Sequence, residues 1–502
     1  MKIRKITALF CCSLLLIAGH LSGQQSAKMK EQFRPQFHFS PQKNWMNDPN
    51  GMVYHKGIYH LFFQYNPYSS VWGPMHWGHA TSKDLIHWQQ QPIAIYPDKA
   101  GTIFSGSAVA DKNNTSGFGK KGQVPLVAIF TQHDTLGEKA GKNDFQNQCI
   151  AYSLDDGKTW TKYSGNPVVK NPGTRDFRDP KVMWFEPQKK WIMTLAVRDV
   201  VSFYSSPDLK NWTKESDFGK ESGAHGGGWE CPDLFELKDN DGGPGEKKSR
   251  WVLIVSLNPG GPNGGSATQY FVGNFDGKNF TTDQQDTRWL DYGPDNYAGI
   301  TWSNTGERKI LLGWMTNWLY ANEVPTEKWR SAMTIPRELK LKHVGENIFL
   351  TSKPVTELAG IQLKPVAIYD TTAKIKLPCR LDLSLIKNSS FSLELSNAAN
   401  EKLVIGYDKN LNQYFIDRSA SGKVDFNKAF AAKHFAPRLT DKATMSISIL
   451  VDESSVELFA DDGLTVMTSV CFPSTPYNAI HLPVNAKKIF TTIKYTALKS
   501  IW

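Results

Sequence analysis

The stretches AYSLDDGKTW (151–160) and FYSSPDLKNW (203–212) share one plan: an apolar strand, an Asp-bearing turn, and a Trp where the chain starts back. HATSKDLIHW (79–88) repeats it, and FVGNFDGKNF (271–280) repeats it with Phe in the last place. Each reads as a β-hairpin. Before each hairpin lies an apolar run, at 58–65, 125–131, 191–196 and 251–256, and a fifth run stands at 310–315. They recur at roughly 60-residue intervals, the range of repeat architectures. A further short strand precedes each run, at 52–55, 106–110, 182–185, 234–237 and 298–302. Four strands per unit and five units predict an all-β fold whose first domain, residues 32–343, is a five-bladed β-propeller. An irregular stack of sandwiches is the alternative. Beyond that domain the repeat stops. KIKLPCRLDLSL (374–385), FSLELS (391–396) and the segment 443–460 alternate apolar and polar residues, which predicts a C-terminal β-sandwich over 344–502. No Pro/Ser/Gly-rich tether separates the two. The sandwich is therefore expected to be a fixed buttress, docked on the outer strands of one or two blades.

The 502 residues carry a formal charge of +10. Lys2, Arg4 and Lys5 precede an apolar run over 6–19 and the small residues Ser22 and Gly23, the pattern of an export signal over residues 1–23. The run is too short to span a bilayer. A lipid anchor on Cys12 is the less favoured alternative, because Cys11 stands where a small residue is wanted. No later stretch approaches membrane-spanning length, so the expectation is a periplasmic or extracellular protein with no membrane span, taken as a monomer. Without the signal the charge is +7, and no Lys/Arg run is interleaved with aromatics, which argues against a nucleic-acid partner. Cys149, Cys231, Cys379 and Cys471 form no Cys-x-x-Cys pair and no Cys/His cluster. They are expected to be buried free thiols, with no metal and no cofactor.

In a propeller the first strand of each blade lines the central channel, and residues just before it sit at one mouth. Three carboxylates occupy such places: Asp48 in WMNDPNG, Asp179 in DFRDPKVMWF and Glu230 in GGWECPDLFEL. Asp-Pro and Pro-Asp pairs also form ordinary turns, and each motif alone is more often a turn than a site. Their shared setting, beside Trp45, Trp72, Trp77, Trp229 and Trp314, shifts the reading to acid–base and nucleophilic chemistry on a neutral polar substrate. Glycoside hydrolysis needs such a set, one carboxyl ionised and one protonated across the scissile bond.

WMNDPNG (45–51), FRDP (177–180) and ECPD (230–233), in this order, resemble glycoside hydrolase family 32, the β-fructofuranosidases. FQYNP (63–67), WGPMHWGHATSKDLIHW (72–88), FSGSA (104–108), GWMTNW (313–318) and WRSAMTIPREL (329–339) extend the resemblance over nearly the whole mature chain. It implies a five-bladed propeller followed by a β-sandwich, and fructan (levan or inulin) or sucrose as substrate. It further implies Asp48 as nucleophile, Glu230 as acid and then base, and Asp179 with Arg178 holding sugar hydroxyls. Asn47, Gln64, Trp72, Phe104, Ser105 and Trp314 would line the fructose pocket. Where the family often has an aromatic, this chain has Asn296, which leaves Asp295 and Tyr297 without an assigned part. Glu230 is expected to hold its proton through partial desolvation and neighbouring carboxylates, and Arg178 to keep Asp179 ionised. The implied reaction is exo release of fructose with net retention.

Three rivals remain at this point. Inverting five-bladed glycosidases on arabinans or xylans share the fold but lack the WMNDPNG turn and the ECPD acid. A fructosyltransferase would share all three acids, and Trp45 at the head of the nucleophile turn resembles the hydrolase pattern instead. A non-catalytic fructan-binding protein is disfavoured by three intact carboxylates.

Overall fold

The computed structural model describes residues 29–241 and 249–502. The expected export signal lies outside the described residues. Five antiparallel sheets follow one another along the chain, and their first strands are Asn44–His55, Thr102–Ala110, Phe177–Phe185, Gly228–Lys238 and Tyr297–Thr301. Each of these inner strands packs on the next, and the fifth packs back on the first, which closes the propeller. The apolar runs are the second strands, Ile58–Asn66, Leu126–His133, Lys190–Val197, Ser249–Asn258 and Lys309–Trp314. Neighbouring blades cover both their faces, so they read as continuous apolar runs and not as alternation. The fifth unit lacks the hairpin cue for a structural reason. After Trp314 the chain detours through residues 315–336 before its third strand, Arg337–Val344. On the way Trp329 and Arg330 pair in parallel with Asn44 and Trp45, which fastens the last blade to the first. The outer hairpin of blade five, Arg337–Val344 with Asn347–Pro354, straddles the expected join between 343 and 344.

The three acids do not precede the inner strands, as expected, but lie inside them. What allows this is a bulge in every inner strand at one height. Asn47 and Asp48 oppose Gln64, and Phe104 and Ser105 oppose Thr131. Asp179 and Pro180 oppose Leu195, Cys231 and Pro232 oppose Val255, and Ala298 and Gly299 oppose Gly313. A bulge bends the strand and re-aims a side chain. At five matched positions it turns side chains from all blades toward one end of the channel. Gly51 ends the first bulged stretch at φ +53°, where a Cβ would stand 2.6 Å from Phe62 and 2.7 Å from Trp77.

The C-terminal sandwich consists of two six-stranded sheets. It touches the outer hairpin of blade five, where Lys353 pairs with Asp462 at 2.9 Å, but its seat extends well beyond the outer strands. Its strands Met445–Val451, Ser455–Ala460 and Thr465–Val470 meet the connector 291–296 between blades four and five, the segment 333–337, and the entering chain at 33–39. One apolar cluster runs unbroken from Trp45, Trp314 and Ile335 to Leu450, Phe459 and Val466. Within it lies a buried ion network. Arg337, fully buried, donates to Asp291 (2.8 Å), Glu457 (2.6 Å) and Thr468 (2.6 Å). His38 bridges Asp452 and Glu457, each at 2.8 Å. Burial disfavours the charge on His38, but its two carboxylate partners outweigh that and raise it from 6.5 to about 9. Burial likewise works against the Glu457 carboxylate, and Arg337 and His38 overcome it, lowering Glu457 from 4.5 to about 2.

A raised His38 stabilises the fold fully below 6.5, and that stabilisation fades as pH rises through about 9. A lowered Glu457 stabilises above 4.5 and loses this as pH falls through about 2. Calorimetry should therefore show a Tm plateau between pH 4.5 and 6.5 and a decline toward pH 9. His38→Gln should lower Tm throughout and flatten that alkaline decline. An unchanged alkaline slope would remove His38 from the linkage.

Candidate active site

The bulged ends of the inner strands surround a cavity of about 410 Å³. Asn47, Asp48, Gln64, Trp72, Phe104, Ser105, Arg178, Asp179 and Glu230 all line it, nine of the ten positions expected from sequence. The tenth, Trp314, stands behind the wall. It is fully buried and its indole donates to the carbonyl of Met46 at 3.0 Å, supporting the strand that carries Asp48. Trp45, Trp77 and Trp229 are equally buried, so of the five tryptophans singled out only Trp72 faces the cavity. A larger cavity of about 610 Å³ opens at the opposite mouth of the channel, but its acids are engaged elsewhere: Asp233 by Lys181 and Thr301, Glu186 by Trp184 and Lys189, and Glu236 by Ser249.

Asp48 does not cap its own turn. Its carboxylate crosses to blade two, where Ser105 Oγ donates to it at 2.6 Å, and Asn47 donates to its other oxygen at 3.0 Å. Trp45 Nε1, bonded to Asn47 Oδ1 at 2.8 Å, sets the orientation of that amide. Asp179 receives the backbone N–H of Cys231 at 3.1 Å, and its own N–H donates to Thr131 Oγ at 3.0 Å. Cys231 Sγ lies 3.7 Å from both Asp48 and Asp179. It ties two carboxylates of different blades to the strand that bears the third. All four described cysteines are buried free thiols, as expected.

Glu230 accepts from Arg178 Nη2 at 2.8 Å and from the hydroxyl of Tyr297. Tyr297 thus belongs to the site, a part that its sequence context did not reveal, because nothing local marks a tyrosine whose partner is 67 residues away. Asp295, two residues earlier, turns outward and pairs with Arg418 of the sandwich at 2.6 Å. His133, Glu138, Phe145, Gln146, Asp176, Trp318 and Asn322 complete the lining and were not anticipated. His133 stacks on Phe104, centroids 4.2 Å apart and planes within 6°.

The part played by Arg178 differs from expectation. Arg178 bonds Glu230 and Asp176, while its nearest nitrogen stands 3.9 Å from Asp179. It therefore does not keep Asp179 at an ordinary value. Burial, against the pull of Arg178 and with the carboxylates of Glu230 and Asp48 adding to it, pushes Asp179 up to about 7. Asp48 is raised by burial and by Glu230, with the Ser105 and Asn47 donors opposing. Burial works against the charge of Arg178, yet Glu230, Asp179 and Asp176 together hold it above its ordinary value.

A five-bladed propeller with a C-terminal sandwich, and a cleft that gathers three carboxylates from different blades beside a guanidinium, is the framework of a glycoside hydrolase. Residues 38–354 match the Glycosyl hydrolases family 32 N-terminal domain and residues 342–497 the family's C-terminal domain. The chain belongs to glycosyl hydrolases family 32. A levanase of Bacillus subtilis (strain 168) is 46% identical over 524 residues, covering 100% of this chain and 76% of its own length. An extracellular exo-inulinase of Aspergillus niger is 43% identical, covering 95% of each chain. Among solved structures, the exo-inulinase of Aspergillus awamori superimposes with a TM-score of 0.86 at 39% identity, over 94% of this chain and 99% of its own. The β-fructofuranosidase of Schwanniomyces occidentalis, complexed with fructosyl-erythritol, does so with 0.83 at 33%, over 93% and 98%.

Proposed function

We infer that this chain is an exo-acting β-fructosidase that hydrolyses terminal fructose from fructan chains and from sucrose. One observation carries the reading: Asp48 and Glu230, from blades one and four, face a single pocket with separate sets of hydrogen-bond partners. Levanase and exo-inulinase are the names of two relatives that match most of the chain. Asp48 attacks the anomeric carbon while Glu230 gives its proton to the departing oxygen, leaving a fructosyl ester on Asp48. Glu230, now a carboxylate, takes a proton from water, the water oxygen attacks the same carbon, and Asp48 departs. Asp179 and Arg178 hold the sugar hydroxyls. The pocket ends against buried Asn47 and Asp179, which suits one terminal residue. The reading takes the protein to be exported and monomeric. No helix among the described residues is long and apolar enough to cross a membrane, and two relatives carry the word extracellular in their names.

A time course on levan and on inulin, with free fructose resolved from oligomers, should show fructose alone from the outset. Early oligomers would replace exo with endo action. Asp48→Ala should lower kcat by at least about 4 kcal/mol of transition-state stabilisation with Tm nearly unchanged. Substantial turnover by the folded variant would return Asp48 to a turn former.

Double displacement retains the anomeric configuration. Proton NMR of the first product should show β-fructofuranose before mutarotation, and an initial α-anomer would exclude Asp48 as nucleophile.

The environment of Asp48 sets the acid limb. Ser105→Ala removes a donor that stabilises the carboxylate, so the acid limb of kcat/KM should move to higher pH. Glu230 enters the first step carrying its proton, so the neutral Glu230→Gln should leave the acid limb in place on an activated aryl fructoside and remove the alkaline limb. An acid limb unmoved by Ser105→Ala would assign it to another group.

A further inference from the structure

Residues 67–75, between the second and third strands of blade one, carry Trp72 into the pocket and Tyr68 onto the surface outside it. The start of this loop is pinned. Asn66, buried, accepts from the Tyr68 N–H at 3.1 Å and donates to the Val71 carbonyl at 2.9 Å. Asn44 donates to Pro67 O at 2.5 Å, and Trp45 N–H to Ser69 O at 3.0 Å. Asn322, on the blade-five detour, accepts the Trp72 N–H at 2.9 Å. A Cβ on Gly73 would stand 2.5 Å from the Asn66 amide nitrogen, so the loop closes tightly on that side chain. Tyr68 is nevertheless 73% exposed.

Its ring meets buried His76 edge-on at 5.5 Å, and His76 meets Tyr96 edge-on at 5.7 Å. Tyr96 is 56% exposed. Strand pairing puts both tyrosines at the pocket end of the blade. Trp45 pairs with Asn66, Tyr65 with His76, and Trp77 with Ile95, so the second strand ends beside the start of the strand bearing Asp48, and the fourth strand, at the blade's outer edge, ends at that same end of the blade. Two exposed tyrosines flanking one buried histidine thus continue outward from Trp72. Exposed aromatic faces contiguous with a binding site mark further binding surface, and tyrosine offers a broad contact for little lost entropy.

We propose that Tyr68 and Tyr96 form a track for the fructan chain beyond the residue held in the pocket. This rests on the reading of the pocket as a fructose-releasing site. Each ring presents an apolar face to the C–H side of a furanose and a hydroxyl to its neighbours. Cleavage takes place in the pocket, so the track grips substrate and transition state equally. Its loss raises KM on polymer and leaves kcat in place. Sucrose, too short to reach it, is unaffected.

The test is the double variant Tyr68→Ala/Tyr96→Ala, assayed on sucrose and on high-molecular-weight levan and inulin. The expected result is a KM for polymer raised about fivefold to tenfold, with kcat for polymer and both parameters for sucrose within about twofold of wild type. Tyr68→Trp/Tyr96→Trp should restore the polymer KM. An unchanged polymer KM, or an equal loss on sucrose, would overturn the track. Binding is read without turnover by native electrophoresis of Asp48→Ala through levan-containing gels. Adding the two alanines should relieve its retardation, and equal retardation of both proteins would again overturn the proposal. This arm stands whether or not the pocket releases fructose, so failure of the track is distinguishable from failure of the reading beneath it.

Discussion

Like charges held at the dry end of a narrow channel repel, and the architecture of this molecule answers that constraint. Asp179 is a buried carboxyl and Asp48 a partly buried one, with Glu230 beside them; burial first, and then the neighbouring carboxylates, raise both. Left alone, the three side chains would separate or draw in water. What holds them is a set of directed donors: Ser105 and Asn47 on Asp48, the Cys231 N–H on Asp179, Arg178 and Tyr297 on Glu230. These donors come from all five blades. The cluster therefore survives only if the blades are fixed relative to one another, and the closed ring of inner strands supplies that rigidity.

The sandwich takes part in the same arrangement from a distance. The connector 291–296 is pinned along its length to the strand Thr465–Val470. Thr468 N–H donates to Asp291 at 2.9 Å, Tyr292 N–H to the Val466 carbonyl at 2.8 Å, and Val470 N–H to Asp295 at 2.9 Å. Arg418 and Arg337 then neutralise the two buried aspartates at its ends. One residue after this connector comes Tyr297, whose hydroxyl reaches Glu230. The sandwich places no described side chain in the pocket. It does fix the backbone from which Tyr297, a partner of Glu230, projects.

Much of this was legible in the chain, for physical reasons. The second strands are covered on both faces, so their apolar runs stand out, and the Asp-bearing turns between third and fourth strands recur because the hairpin geometry does. The acids could be found because each lies at the same place in its repeat. The bulges could not be read, since an extra residue in a strand leaves no mark on composition. This is why the acids were expected before the strands. Trp314 was misplaced because an indole in a core and an indole in a sugar pocket look alike in sequence. The detour of blade five and the docking face of the sandwich depend on partners such as Arg337 and Glu457, 120 residues apart.

The turn-like appearance of the three motifs has the same origin as their chemistry. Pro180 and Pro232 stand at bulges, where a residue leaves the ladder and no N–H is required of it. Proline thereby stiffens the strand at the one point where it can do so without losing a hydrogen bond. The residues before them, Asp179 and Cys231, take positive φ of 64° and 46°, and Ala298 in blade five takes 53°. Each such non-glycine position costs on the order of 1 kcal/mol and persists only where its surroundings over-determine it. Here the surroundings are the pocket itself: the Cys231 N–H is turned toward Asp179 by the same torsion that strains it. A sequence of Asp-Pro and Cys-Pro pairs resembles a set of loops because loops and bulged strands ask the same of a backbone. The difference lies in the ladder on either side, and that ladder is what brings the acids together.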